Sequence, residues 1–99
     1  MNDISELLAS GAIVVDVRTP GEYAEGHFDG SINIPLNEIP GRLDELKKDK
    51  EIVVCCASGI RSSNAMAILS RYGIVCHDGG SWLNLKDLIT DKPQSCSIR

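Results

Sequence analysis

The chain lacks an excess of basic residues: 10 Lys and Arg face 14 Asp and Glu, for a formal charge of -4 and a pI near 5.0. A nucleic-acid surface needs a basic stripe, so no nucleic-acid partner is expected. No apolar run approaches the length of a membrane span. The opening MNDISELLASG has no basic stretch followed by an apolar block, so a signal peptide is not expected and the cytoplasm is the expected compartment. Internal repeats and low-complexity tracts are missing too. The four cysteines, at 55, 56, 76 and 96, contain no C-x-x-C pair. A bridge between adjacent Cys55 and Cys56 would be strained. Such a pattern points to one reactive thiol among packing thiols rather than to a disulfide framework. Zinc would need paired ligands, which Cys76 and His77 alone do not supply; no metal is expected.

What is present suits a single folded domain. The 99 residues are 42% hydrophobic, enough for one core and not for two. Residues 1–91 are expected to form that domain and 92–99, with little to bury, a loose tail. Apolar runs alternate with helix-period segments, the pattern of an α/β fold with a parallel sheet. AIVVDV (12–17) is continuous enough for a strand buried on both faces, and SINI (31–34), EIVVCC (51–56) and IVCH (74–77) are further strands. Ile4 can begin a short edge strand, although Ile4, Leu7 and Leu8 also fit a helical stripe. A three-layer α/β/α domain with four to five strands is the expected architecture.

The helices have readable ends. TPGE is a capping box, with Thr19 as N-cap, Pro20 in the first turn and Glu22 reaching back; Gly26 stops that helix. Leu36, Ile39, Leu43 and Leu46 recur at helical spacing, with Pro40 opening the main part. Ala65, Ile68, Leu69 and Tyr72 form the stripe of a helix that Gly73 ends. GGSW turns into a last helix carrying Trp82, Leu85 and Leu88. Ligands in open α/β sheets bind beyond the carboxyl ends of the strands, where loop 56–61, Arg18 and Gly79–Gly80 should converge.

Within that loop a thiolate would be stabilised by inward-facing backbone amides and a helix N-terminus. The curl requires a residue tolerant of positive φ, and Gly59 is the one glycine available. It stands third after Cys56 and fourth after Cys55. Residue chemistry alone leaves both thiols in play.

CASGIRSS (56–63) resembles the active-site loop of the rhodanese family: Cys, two residues, Gly, one residue, then Arg and Ser. VVDVRTPGEYAEGHFDGSINIP (14–35) is similar to that family's D-x-R…E-x-x-x-G-H-I-x-G-A-x-N-I-P segment, with Phe28 and Ser31 as departures that touch packing. DGGSW resembles its G-G-x-x-x-W motif, with Trp82 two positions early. The likeness spans most of residues 4 to 89. A competing pattern is Cys55, five residues and Arg61, the C-x5-R signature of cysteine-dependent phosphatases and arsenate reductases, some of which share the rhodanese fold. The glycine falls one place late for that form, no histidine precedes Cys55, and the loop offers no general acid. Cys55 also continues the strand, so its side chain should face away from that of Cys56. A non-catalytic rhodanese-like binding module is the third reading, lowered because the cysteine is present.

The resemblance implies a sulfurtransferase. Cys56 would take a sulfane sulfur from thiosulfate or a persulfide donor as a covalent persulfide and hand it to a thiophilic acceptor. Ala57, Ser58, Gly59, Ile60, Arg61 and Ser62 would bind the anionic sulfur, with Arg61 steering the donor. Asp16 and Arg18 form the family's D-x-R pair. Asp16 is expected as a buried acceptor that holds neighbouring loops, His27 as a bracing residue and Trp82 as core. Cys55 and Cys76 read as small apolar residues and Cys96 as an idle tail thiol. No organic cofactor is implied. The expected partner is a small anionic donor or a persulfide carrier protein, and the chain is expected to be a monomer.

Overall fold

The computed structural model describes residues 4–46, 50–86 and 88. The element order is α1 (Ile4–Ala9), β1 (Ile13–Asp16), α2 (Pro20–Glu25), β2 (Ile32–Asn33), a 3₁₀ segment (Leu36–Glu45), β3 (Ile52–Cys56), α3 (Ile60–Arg71) and β4 (His77–Ser81). Residues 82–86 are helical again. The strands form one four-stranded sheet in the order β2-β1-β3-β4, and every pairing is parallel. The α/β architecture with a parallel sheet and the strand count agree with the expectation. Ile4 starts a helix rather than an edge strand. Cys96 and the 92–99 tail lie outside the described residues.

Strand alternation divides the interior into two half-cores. Val15, Ile52, Val54 and Cys56 point to the side of α3 and the 3₁₀ segment, where they meet Ile34, Ile39, Leu46, Ala65 and Leu69. Val14, Val53 and Cys55 point the other way, against Leu7 of α1 and Leu85. All five residues of β3 are buried, as the near-continuous apolar run of a central parallel strand requires. Each fully buried Val or Leu contributes about 1.5–3 kcal/mol relative to an exposed one, so this alternation fixes which face each residue of β3 takes.

Two segments differ from the sequence reading. Leu36–Glu45 is not an α-helix. Pro40 lies inside it, and Arg42 departs from helical geometry at φ -127° and ψ 27°, splitting the segment into two 3₁₀ pieces. The proline cannot donate to an i→i−4 ladder, which favours the tighter, shorter spiral. The last strand runs over His77–Ser81 rather than 74–77. Val53 pairs with His77, Val54 with Asp78 and Cys56 with Ser81, with a register irregularity between Val54 and Cys56. Gly79 explains the shift. A Cβ there would stand 2.8 Å from Val53 Cγ1 and 3.1 Å from the Val54 carbonyl, so the glycine run permits a close strand approach instead of a turn. Cys76 is buried but precedes the strand.

Candidate active site

The carboxyl end of β3 delivers Cys56 directly into residues 57–59 and then α3. Gly59 is the N-cap of α3 and lies at φ 102°, ψ -12°, a conformation in which a side chain would be strained. That backbone turn aims two amides at one sulfur. The Gly59 N–H donates to Cys56 Sγ at 2.9 Å and the Ser62 N–H at 3.3 Å. Burial of Cys56 opposes charge on its thiol, yet the amides of Ser62, Gly59 and Ser58 outweigh it, and the pKa falls below the ordinary thiol value. The Ser62 hydroxyl has a single proton, for which Asp78 Oδ1 at 2.6 Å and the Gly59 carbonyl at 3.0 Å compete. The thiolate's stabilisation therefore rests on the amides.

Cys56 has 0% of its surface exposed. Its sulfur is the floor of the loop, not the lining of an open cleft. Ala57 and Ser58, which follow it in the loop, are exposed, and Ile60 is 71% exposed. Cys55, one residue earlier, enters the opposite half-core. Burial there, reinforced by the nearby Asp16 carboxylate, pushes its thiol up to about 12. Cys76 is raised as well, chiefly by burial.

Arg61 is engaged in an ion pair. Its Nη1 and Nη2 donate to Glu22 Oε1 and Oε2 at 2.8 and 3.0 Å. Glu22 is itself held by the α2 capping box, where its Oε1 accepts from the Thr19 N–H at 3.0 Å. Chiefly through the Arg61 hydrogen bonds, and next through that amide, its carboxyl titrates at about 2. Sequence reasoning gave Glu22 a capping role and no part in the loop. It also missed Asp78, whose carboxylate accepts from the Ser62 and Ser63 hydroxyls and from the Gly80 N–H at 2.6, 3.0 and 2.9 Å. The available signal was its place beside a glycine pair near the end of the last strand, where loops converge.

Asp16 and Arg18 lie beneath the site without touching the thiol's hydrogen bonds. Asp16, fully buried, accepts from the Arg18 amide at 3.0 Å and from the guanidinium at 2.9–3.1 Å. Arg18 also donates to the Gly26 carbonyl at 2.6 Å and lies 4.8 Å from the Trp82 ring centroid. Trp82, half-buried, packs against the half-core that holds Cys55, as expected, and its ring also faces this arginine. His27 Nδ1–H donates to the Tyr23 carbonyl at 2.9 Å, and the ring stacks on that of Tyr23 with centroids 3.8 Å apart. It braces the 23–31 turn.

A profile of the rhodanese-like domain matches residues 1–85. The chain belongs to the rhodanese-like domain family. This rhodanese-like chain is 39% identical over 74 residues to an Allochromatium vinosum protein named sulfurtransferase, a match covering 75% of this chain and 64% of that one. It therefore spans less than two thirds of that relative's length. It is also 39% identical over 82 residues to the Escherichia coli thiosulfate sulfurtransferase PspE, covering 79% and 75% of the two chains. Among solved structures, reduced CoADR-RHD of Bacillus anthracis is similar at a TM-score of 0.74 and 32% identity, over 90% of this chain and 16% of that one. No helix among the described residues is long and apolar enough to cross a membrane.

Proposed function

We propose that the protein is a sulfurtransferase that carries a sulfane sulfur on Cys56. The observation that carries this reading is the convergence of the Gly59 and Ser62 amides on one sulfur, which favours the thiolate and would equally favour the charged outer atom of a persulfide. The names of the relatives, sulfurtransferase and thiosulfate sulfurtransferase, support the same chemistry. Cys55 has the opposite surroundings, an apolar half-core and a raised pKa, which weighs against C-x5-R phosphatase chemistry.

In the first half-reaction the Cys56 thiolate attacks the outer sulfur of the donor. A Cys56 S–S bond forms, the donor's own S–S bond breaks, and the donor leaves as sulfite from thiosulfate or as a thiolate from a persulfide. The new terminal sulfur carries one negative charge, which the Gly59 and Ser62 amides and the start of α3 would favour. An acceptor thiolate or cyanide then attacks that outer sulfur and the Cys56 thiolate is regenerated. The chemistry calls for no cofactor. Because Cys56 is fully buried, a donor meets its sulfur only after local opening around the loop, and that opening contributes to the rate.

Intact-mass measurement after incubation with thiosulfate tests the proposal. One added sulfur is expected on the wild type and on Cys55→Ser, and none on Cys56→Ser. Sulfur loading that survives Cys56→Ser and vanishes with Cys55→Ser would reverse the assignment.

A further inference from the structure

The Asp78 carboxylate takes no part in the sulfur step, yet its two oxygens collect the polar groups at the start of α3. Oδ1 accepts from the Ser62 hydroxyl at 2.6 Å and from the Gly80 N–H at 2.9 Å. Oδ2 accepts from the Ser63 hydroxyl at 3.0 Å. Asp78 is exposed, whereas Ser62 is fully buried. The carboxylate thus reaches from the surface to a hydroxyl that sits beside the reactive sulfur.

Ser62 meets Cys56 in two ways. Its N–H donates to Sγ at 3.3 Å, and its hydroxyl lies within hydrogen-bonding reach of the same sulfur. A hydroxyl has one proton to give, and Asp78 Oδ1, the Gly59 carbonyl at 3.0 Å and the sulfur compete for it. The short contact to a carboxylate is charge-assisted and takes the proton. The Ser62 oxygen then turns a lone pair to the sulfur instead of a donor. Without the carboxylate the order changes. The Gly59 carbonyl already accepts from the Ser63 N–H at 3.2 Å and from the Ser63 hydroxyl at 3.1 Å, which leaves the Ser62 proton to the charged sulfur.

We propose that Asp78 is a positioning residue for the sulfur step: it holds the Ser62 hydroxyl off Cys56 and so limits how strongly the loop stabilises charge on that sulfur. The kinetic consequence rests on the sulfurtransferase reading and deepens it. Cys56 is the attacking thiolate when sulfur is taken up and the leaving thiolate when sulfur is discharged. A further donor on Sγ would make it a poorer attacker and a better leaving group. By withholding that donor, Asp78 balances the two half-reactions. Only the acceptor of one hydrogen bond changes, so no bond is made or broken and no co-reactant enters.

The test is a double-mutant cycle read by the pH midpoint of iodoacetamide alkylation at Cys56 in the full chain. With Asp78 present, Ser62→Ala should move the midpoint by less than about 0.3 units, because the hydroxyl it removes does not donate to sulfur. Asp78→Ala should lower the midpoint by about one unit or more, and adding Ser62→Ala to it should raise the midpoint by about one unit. The charge of Asp78 acts on both arms alike and cancels in the cycle. Should Asp78→Ala fail to fold, Asp78→Asn serves: a neutral amide oxygen loses the proton to a charged sulfur, and Ser62→Ala should again raise the midpoint. Equal Ser62→Ala shifts with and without the carboxylate overturn the proposal. Sulfur uptake from thiosulfate and discharge to cyanide, timed separately by intact mass, give the kinetic arm. The ratio of discharge to uptake should rise about threefold in Asp78→Ala and return in the double variant. A merely structural loss slows both half-reactions alike, and an unmoved ratio overturns the positioning role. A wild type that takes up no sulfur refutes the sulfurtransferase reading instead, and the midpoint cycle still decides where the Ser62 proton goes.

Discussion

Replacing Gly59 with Ala isolates the backbone contribution to the thiolate. Space is not the obstacle, because a Cβ at Gly59 would meet nothing nearer than the Gly80 Cα at 3.8 Å. The obstacle is φ 102°, which costs an L-residue about 1–2 kcal/mol. The loop relieves that strain by rotating residue 59 toward negative φ, which turns its N–H away from Cys56 Sγ, now 2.9 Å distant. A hydrogen bond to a charged group contributes about 1.5–3 kcal/mol, and one pKa unit corresponds to about 1.36 kcal/mol. Gly59→Ala should therefore raise the Cys56 pKa by about one to two units while lowering Tm by roughly 4–15 °C for a domain of this size. Gly73→Ala is the control. Its φ is 78° with open space around it, so it stores similar strain, but it lies past the far end of α3.

The assay is the pH dependence of iodoacetamide alkylation at Cys56, read by peptide mass. Cys56 is covered, so opening lowers the absolute rate; the midpoint still reports the closed-state thiol, because closed molecules dominate the population. The wild-type midpoint should fall below the free-cysteine value near 8.5, Gly73→Ala should match it, and Gly59→Ala should move up. If Gly59→Ala loses stability while its midpoint stays at the wild-type value, amide donation is not what stabilises the thiolate.

Cys55 gives stability an alkaline limit: the unfolded chain releases that proton near pH 8.5 and the folded chain holds it up to about 12. Its contribution is complete below pH 8.5 and is lost as pH rises, at no more than about 1.4 kcal/mol per pH unit, whereas that of Cys56, whose pKa is lowered, grows with pH and is level above 8.5. Urea midpoints between pH 8.5 and 10.5 should fall less steeply for Cys55→Ala than for the wild type, and equal slopes would refute the burial argument. Asp16→Asn should cost roughly 3–5 kcal/mol in urea unfolding, because it breaks a buried ion pair and leaves Arg18 without its carboxylate; a loss under 1 kcal/mol would show that Gly26 and Trp82 suffice to hold the guanidinium.

Legibility followed the range of the interactions involved. The α2 capping box is local, and Thr19, Pro20 and Glu22 take the positions that their spacing predicts. β1 and β3 were readable from apolar runs that no other element could bury. β4 was not, since HDGGS has no β-branched residue; the absence of side chains at Gly79, which the alphabet reads as a turn, is what admits the strand beside Val53. The Arg61–Glu22 pair joins residues 39 apart in sequence, and only the packing of α2 against the loop brings them together. Pro40 and Leu43 share a helical period with their neighbours, yet the period does not distinguish an α-helix from the 3₁₀ spiral observed over Leu36–Glu45.

The contrast between the two adjacent thiols follows from one residue of strand geometry. Both belong to β3 and both are fully buried, so burial alone would raise both pKa values. Alternation sends Cys55 among Leu7, Val14, Val53 and Leu85, where burial is the chief influence on its thiol. It sends Cys56 toward the first turn of α3, whose leading N–H groups have no intrahelical acceptor and turn to the sulfur instead. A one-residue slip of β3 would exchange the two environments. The slip is opposed by Val54 and Ile52 on one face and Val53 on the other, each losing its half-core if the register moved. The reactivity difference between the thiols is thus held in place by aliphatic side chains that never approach the substrate.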